Sequence, residues 1–455
     1  MRVVFVASEA IPYAKTGGLA DVVGTLPLHL KKIGIETTVI IPRYKTIQGS
    51  LVEEFQIEMG KTFNVRVYKN KDFIFIDYPE FFERDGIYGT KKGDFPDNCE
   101  RFTLFCKAVT HLLKNGDYDI VHCHDWQSGL IPLYIKLQGI KSKTVFTIHN
   151  LGYQGRFPGS KFSILGIPDS YFRPQGIEFH GDINFLQTGI LFSDILTTVS
   201  ENYSREIQKP ELGFQLDGII RDRSEHLVGI INGIDYSVWN PEVDDLIYEK
   251  YGDFVGKHKN KLHLTEECNI DEKRPLIGMV SRIAEQKGFD IVIKVFDEMI
   301  DTGFSFILLG SGDVHYYEKL KKFESIYPDK VSVNIKFDEK LAHRIYAGSD
   351  FFLMPSRYEP CGLGQLISLK YGTVPIVHKT GGLADTVQEF VPEALTGNGF
   401  LFNKYSSREF LDALDRAYKA YIDQDSFKIL SQNCMNYNYS WEESAKKYRK
   451  LYESF

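Results

Sequence analysis

Cysteine is scarce in this chain and too scattered to hold it together. The six residues (Cys99, Cys106, Cys123, Cys268, Cys361 and Cys434) form no C-x-x-C pair, which argues against a disulfide framework or a thiolate zinc site and points to a reducing, cytoplasmic setting. Long apolar runs are missing as well. No segment approaches the ~20 residues a membrane helix needs, and residues 1–7 are apolar for too short a stretch to be a signal peptide before Ser8-Glu9 intervenes. There is no basic excess: the net charge is −7, which excludes a dedicated nucleic-acid or anionic-membrane binder, since phosphate-backbone binding needs a basic surface. No stretch is low in complexity, and nothing recurs at the short fixed period of a solenoid. What remains is an ordinary globular composition, 43% hydrophobic and 25% charged over 455 residues, long enough for two or three domains with their own cores.

Short β-branched runs alternate with helix-period segments. Strands are expected at 3–7, 37–41, 73–77, 120–123, 145–148 and 196–199, with helices at 21–33, 101–113 and 127–137 between several of them. Such alternation implies right-handed crossovers and a mainly parallel sheet covered on both faces. After the Asn232-Gly233-Ile234-Asp235 turn the rhythm breaks. A second series follows at 276–280, 306–309, 351–354, 374–377 and 400–402. The fold class is therefore α/β, with two Rossmann-like domains: residues 1–240, a polar interdomain connection at 241–274, residues 275–440, and a C-terminal amphipathic helix at 441–455. Ligands in such sheets bind at the carboxyl ends of the strands, so two facing sheets are expected to form an interdomain cleft.

The heptapeptide Lys-Thr-Gly-Gly-Leu-Ala-Asp occurs twice, at 15–21 and 379–385. Each copy follows an apolar run and opens an amphipathic stretch, the pattern of a strand, a glycine loop and a helix start that suits an anion. Lys15 beside Gly17 and Gly18 adds an ammonium to the backbone donors. In the second series, Arg282 leaves the end of a strand and Lys287 opens the next helix, a pair able to clamp a diphosphate. Glu359 lies before Cys361-Gly362-Leu363-Gly364 at a further helix start, where the dipole favours its ionised form. A carboxylate at an anion-binding helix start suits a site where a phosphate leaves and positive charge develops on a sugar carbon; a plain capping carboxylate is the alternative. His122-Cys123-His124 invites a metal reading, because alternate strand residues share a face, but no second ligand cluster accompanies it. Asp117-Tyr118-Asp119 has the Asp-x-Asp form used in metal-dependent sugar transfer, yet it precedes its strand and so lies at the wrong edge of the sheet. Asp423-Gln424-Asp425 reads as a solvated turn.

These stretches together resemble the bacterial glycogen synthase and plant starch synthase family of retaining GT-B glucosyltransferases. The resemblance rests on Lys-Thr-Gly-Gly-Leu-Ala-Asp-Val at 15–22, His-Asp-Trp-Gln-Ser-Gly-Leu at 124–130 and Thr-Ile-His-Asn-Leu-Gly-Tyr-Gln-Gly at 147–155. It continues through Thr-Thr-Val-Ser at 197–200, Asn-Gly-Ile-Asp at 232–235, Ser-Arg-Ile-Ala-Glu-Gln-Lys-Gly at 281–288 and Glu-Pro-Cys-Gly-Leu-Gly-Gln at 359–365. It implies that Lys15, Gly18, Arg282 and Lys287 bind a diphosphate. His149, Asn232 and Glu359 then surround the transferred glucose, with Asp125 nearby and Asp21 and Tyr88 lining the cleft. Phe337 stands where relatives often carry an adenine-stacking tyrosine, and Gly364 where some have a threonine. The implied activity is transfer of glucose from ADP-glucose to the 4-hydroxyl of an α-1,4-glucan, glycogen or a maltooligosaccharide, with retention and without a metal or other cofactor. UDP-glucose as donor and a small acceptor stay open. So do two other classes, a sugar-nucleotide epimerase and a non-catalytic glucan-binding protein. The resemblance leaves the oligomeric state undetermined.

Overall fold

A computed structural model describes all 455 residues and divides them into two compact units, residues 1–232 with 441–455, and residues 233–440. In the first unit a nine-stranded sheet is built around Arg2–Val6, whose Val-Val-Phe-Val side chains are fully buried. On one side lie Glu36–Pro42 and Phe73–Asp77; on the other lie Ile120–His124, Lys143–Ile148, Ile195–Thr198 and Leu227–Gly229, all parallel. The chain reverses direction across the sheet between Arg2–Val6 and Ile120–His124. At that switch point the carboxyl ends of two strands diverge and leave room for a ligand.

The second unit holds a six-stranded parallel sheet in the order Val331–Ile335, Ser305–Gly310, Leu276–Val280, Phe351–Met354, Val374–His378, Phe400–Phe402. Numbered along the chain this is 3-2-1-4-5-6, the doubly wound order, with its switch point between Leu276–Val280 and Phe351–Met354.

Three features depart from the sequence expectations. The first sheet ends in an antiparallel hairpin, Ser50–Glu58 with Thr62–Asn70, and a small sheet joins Arg156–Pro158, Glu178–Phe179 and Asp182–Asn184. The helix expected at 127–137 is split into a 3-10 turn, Trp126–Ser128, and a helix at Ile131–Gln138 that begins beside Pro132. The third concerns residues 241–274, which are no separate connection, and the boundary falls after Asn232 rather than at 240. The helix Phe254–Cys268 buries two of its lysines, Lys257 and Lys261, against the second unit. Lys257 donates to Ala347 O at 3.0 Å and to Thr373 Oγ1 at 2.6 Å, and Lys261 pairs with Asp350 at 2.7 Å. Burial pushes the Lys257 ammonium down to about 7.

The last helix, Trp441–Tyr452, belongs to the first unit. Trp441, Ala445, Tyr448 and Tyr452 recur at helical spacing and are buried. Tyr452 Oη meets His122 Nδ1 at 2.7 Å, Ser444 Oγ donates to Ile231 O at 2.8 Å, and Arg449 donates to Ile33 O at 3.1 Å.

The Lys261–Asp350 pair is nearly inaccessible, so removing one partner strands a buried charge. Lys261→Met is expected to cost about 3–5 kcal/mol, read as a lowered denaturation midpoint. A loss under about 1 kcal/mol would show that Asp350 is compensated elsewhere.

Candidate functional site

In the first unit the loop after Arg2–Val6 is shaped by a residue whose role the sequence did not disclose, Glu9. It is 3% exposed. Its carboxylate accepts the Thr16 backbone N–H, the Thr16 hydroxyl at 2.8 Å and the Tyr88 hydroxyl at 2.7 Å. A carboxylate at the end of a buried strand must be saturated with donors, and the loop folds back to supply them. The available signal was Ser8-Glu9 directly after an apolar strand. Ser8 Oγ also meets Tyr88 Oη at 2.7 Å.

With Thr16 held inward, Gly17 caps and Gly18 begins the helix Gly18–Lys32. Gly17 has an extended backbone, and a Cβ there would meet nothing within 4 Å. The fold itself does not require glycine at 17; what glycine leaves is open space at a helix start, where backbone donors suit an anion. Lys15 Nζ pairs with Asp21 Oδ1 at 2.7 Å. Burial raises the Asp21 carboxyl, and Lys15 opposes it.

Across the switch point, Asp125 follows Ile120–His124 with φ 55° and ψ −178°, a conformation that costs a non-glycine residue about 1–3 kcal/mol. Its Oδ1 accepts the His149 backbone N–H at 2.8 Å. Desolvation pushes the carboxyl up to about 7, against the backbone donors of His149 and Asn150. The His149 imidazole meets His124 at 3.0 Å and burial pushes it down to about 3. The two imidazoles of His122-Cys123-His124 do share a face, with centroids 4.3 Å apart. Their nitrogens turn to Tyr452, Thr147 and His149. Asn232, the last residue of this stretch, buries an amide oxygen that has no hydrogen-bond partner.

In the second unit both switch-point loops converge. Lys287 lies in the 3-10 turn Glu285–Lys287 that follows Leu276–Val280, and its Nζ sits 2.6 Å from Glu359 Oε2. Glu359 is 6% exposed and also accepts Ser356 Oγ at 3.0 Å. The expectation that a helix dipole holds Glu359 is corrected: the helix begins at Gly364, five residues on, and the counter-charge is Lys287. Lys287 closes this 3-10 turn and lies two residues before the α-helix Phe289–Lys294 rather than opening it. Gln286 locks the loops together, its carbonyl accepting Arg357 N at 2.9 Å and its amide donating to Tyr358 O at 3.2 Å. Arg282 is exposed at the same strand end.

Cys361 is buried, Gly362 takes φ +72°, and Leu363 caps the helix opened by Gly364. Phe337 follows Val331–Ile335 on the same carboxyl edge of the sheet and is 93% exposed. The second heptapeptide packs beneath the Glu359 turn. Gly382 N donates to Glu359 O at 3.1 Å, and a Cβ at Gly381 or Gly382 would fall 1.9 or 2.0 Å from the carbonyl oxygens of Glu359 or Cys361.

Loops of this kind at the switch points of two doubly wound sheets are the architecture of a GT-B glycosyltransferase, and the comparisons agree. Residues 2–222 match the starch synthase catalytic domain, and residues 261–441 match glycosyl transferases group 1. The solved catalytic domain of starch synthase IV from Arabidopsis thaliana, bound to ADP and acarbose, superposes with a TM-score of 0.88 at 33% identity, covering 99% of this chain and 98% of that one. A glycogen synthase from Thermodesulfovibrio yellowstonii is 42% identical over 489 residues, covering 99% of this chain and 97% of the relative. One from Pseudothermotoga lettingae is 44% identical over 484 residues, covering 100% and 98%. The chain belongs to the glycogen synthase family and is a hexosyltransferase.

Asp125 carries a testable pH signature. Below about pH 4 its carboxyl is protonated both folded and unfolded; between there and about 7 only the folded state keeps the proton, so stability falls as pH rises through this window. The stability of wild type relative to Asp125→Asn should therefore decline between pH 4 and 8. A difference that does not vary with pH removes the argument. Gly382→Ala should overpack the Glu359 turn at a cost of about 1–3 kcal/mol and lower kcat. Full activity would show that the turn does not depend on this support.

Proposed function

We propose that the chain transfers α-D-glucose from ADP-glucose to the 4-hydroxyl at the non-reducing end of an α-1,4-glucan, with retention of configuration and without a metal. The observation that carries the chemistry is the Lys287–Glu359 pair at the second unit's switch point, 2.6 Å apart, on the loop that leaves the strand end past the exposed Arg282. Departure of a nucleoside diphosphate builds negative charge on the phosphate oxygens and positive charge at the anomeric carbon. Cations fixed beside a carboxylate serve both without reorganisation.

In this reading Arg282 and Lys287 take the departing diphosphate, and Lys15 with the amides of Gly17 and Gly18 is the first unit's own phosphate-binding group. Gly362, Leu363 and Gly364 add backbone donors, and Phe337 offers a ring for the base. Glu359, held by Lys287 and Ser356, faces the sugar and supports oxocarbenium character. His149, Asn232 and Asp125 orient the glucose. Asp21 and Tyr88 belong to the same half. Lys15 rests on Asp21 and Lys287 on Glu359, so donor binding shares each cation between its carboxylate and a phosphate. The family supports a glucan acceptor and is consistent with a cytoplasmic setting. The six cysteines are free thiols, which suits a reducing compartment.

The test is glucose incorporation into glycogen from ADP-glucose and UDP-glucose in parallel, with EDTA present. Labelling from ADP-glucose that resists EDTA is expected. Labelling from UDP-glucose alone would reassign the donor, and labelling from neither would remove the proposal. Glu359→Ala and Lys15→Ala should each lower kcat/KM on the order of 10²-fold or more. Near-normal turnover in either variant strips that residue of its role.

A further inference from the structure

The His122-Cys123-His124 motif is left without a use by the reading above, and its second imidazole is unusual. His124 is fully buried, its Nδ1 lies 3.0 Å from His149 Nε2, and its Nε2 has no hydrogen-bond partner. The rings of Phe5 and His122 lie nearly parallel to it, at interplanar angles of 17° and 26°, with their own centroids 5.0 Å apart. Neither turns a π-face toward the Nε2 edge.

Burial holds both His124 and His149 neutral through the working pH range. Each ring then carries one N–H, and the contact between them contains one hydrogen. If His149 donated from Nε2, His124 would have to place its own hydrogen on Nε2, an orphaned N–H in a dry site, which native interiors rarely tolerate. If His124 donates from Nδ1, its Nε2 holds only a lone pair, and His149 carries its hydrogen on Nδ1. The second arrangement avoids the orphaned donor. It is also the reverse of the tautomer a free imidazole prefers, so the protein has to impose it.

We infer that His124 is a positioning residue that fixes His149 as the Nδ1–H tautomer, so that His149 offers an N–H donor rather than a lone pair to the transferred sugar. The tautomer follows from the geometry and from the neutrality of both rings; the destination of the N–H rests on the functional reading above. The backbone of His149 is held independently, by Asp125 Oδ1 at 2.8 Å, so His124 acts on the ring and not on the loop. Its neighbour His122 has both nitrogens engaged, with Tyr452 Oη at 2.7 Å and Thr147 Oγ1 at 2.6 Å, and so keeps the stack over His124 in register.

The experiment is ring-nitrogen correlation spectroscopy on deuterated full-length protein with isotope-labelled histidine, the His149 signals being assigned by their loss in His149→Gln. Wild type should show His149 with a protonated Nδ1 and a bare Nε2. His124→Asp places only acceptors where Nδ1 stood, so His149 should switch to Nε2–H and kcat/KM should fall on the order of 10-fold. His124→Asn places an amide N–H there and should restore both the tautomer and most of the rate. An Nε2–H signal for His149 in wild type overturns the proposal. So does an unchanged tautomer in His124→Asp, or equal impairment of the Asp and Asn variants. If the tautomer switches in His124→Asp while turnover does not change, the tautomer assignment stands, and what fails is the placing of His149 at the sugar.

Discussion

Each Lys-Thr-Gly-Gly loop closes on a glutamate, and the two closures organise everything around them. In the first unit the Glu9 carboxylate gathers the Thr16 amide, the Thr16 hydroxyl and the Tyr88 hydroxyl. A charge buried at the end of an apolar strand stays there only if its acceptor positions are filled. Filling them curls the loop and turns Lys15 and the start of Gly18–Lys32 outward. In the second unit the relation is inverted: Gly382 N bonds the main-chain carbonyl of Glu359, and the side chain is left to Lys287 and Ser356. One peptide thus leaves a helix start open in one place and serves as a support behind a carboxylate in the other. Glycine is needed for different reasons in each. At 17 it keeps space open, and at 381 and 382 it lets two backbones touch.

The resting electrostatics are nearly self-contained. Lys15 and Lys287 each have a carboxylate at hydrogen-bond distance, and His122, His124 and His149 are kept neutral by burial. Each of these cations is therefore already in position and engaged at rest. The strain is kept local. Asp125 holds both an unfavourable backbone and an unfavourable charge, and the sheet around it is saturated with buried aliphatic contacts that over-determine its place.

The parallel strands were legible because each is buried on both faces and so reads as an uninterrupted apolar run; Leu276–Val280 and Phe351–Met354 emerge with the bounds expected of them. The hairpin Ser50–Glu58 with Thr62–Asn70 was not, because Leu51-Val52-Glu53-Glu54-Phe55 lies at an exposed sheet edge and a register shift between Leu51 and Glu53 breaks the alternation. Residues 241–274 misled for another reason. Lysines normally mark solvent, and nothing local in Lys257 or Lys261 reveals that carbonyls and Asp350 wait for them about 90 residues further on. The site residues carrying a formal charge in a loop after a strand stood out. Glu9 did not, and His124 stood out only as a candidate metal ligand, since their contacts are with Tyr88 and His149, far away in sequence.

The position of Trp441–Tyr452 has a consequence for biosynthesis. The first sheet is written in residues 1–232, yet the helix that covers it is made only after the whole of residues 233–440. As the chain leaves the ribosome, His122 and the buried face of Gly18–Lys32 must wait through the synthesis of more than two hundred intervening residues for Tyr452 and its neighbours. The second unit, contiguous in sequence, is complete before the first. The half that starts earliest finishes last, and a nascent chain stalled anywhere short of Trp441 carries an uncovered apolar seam along that helix.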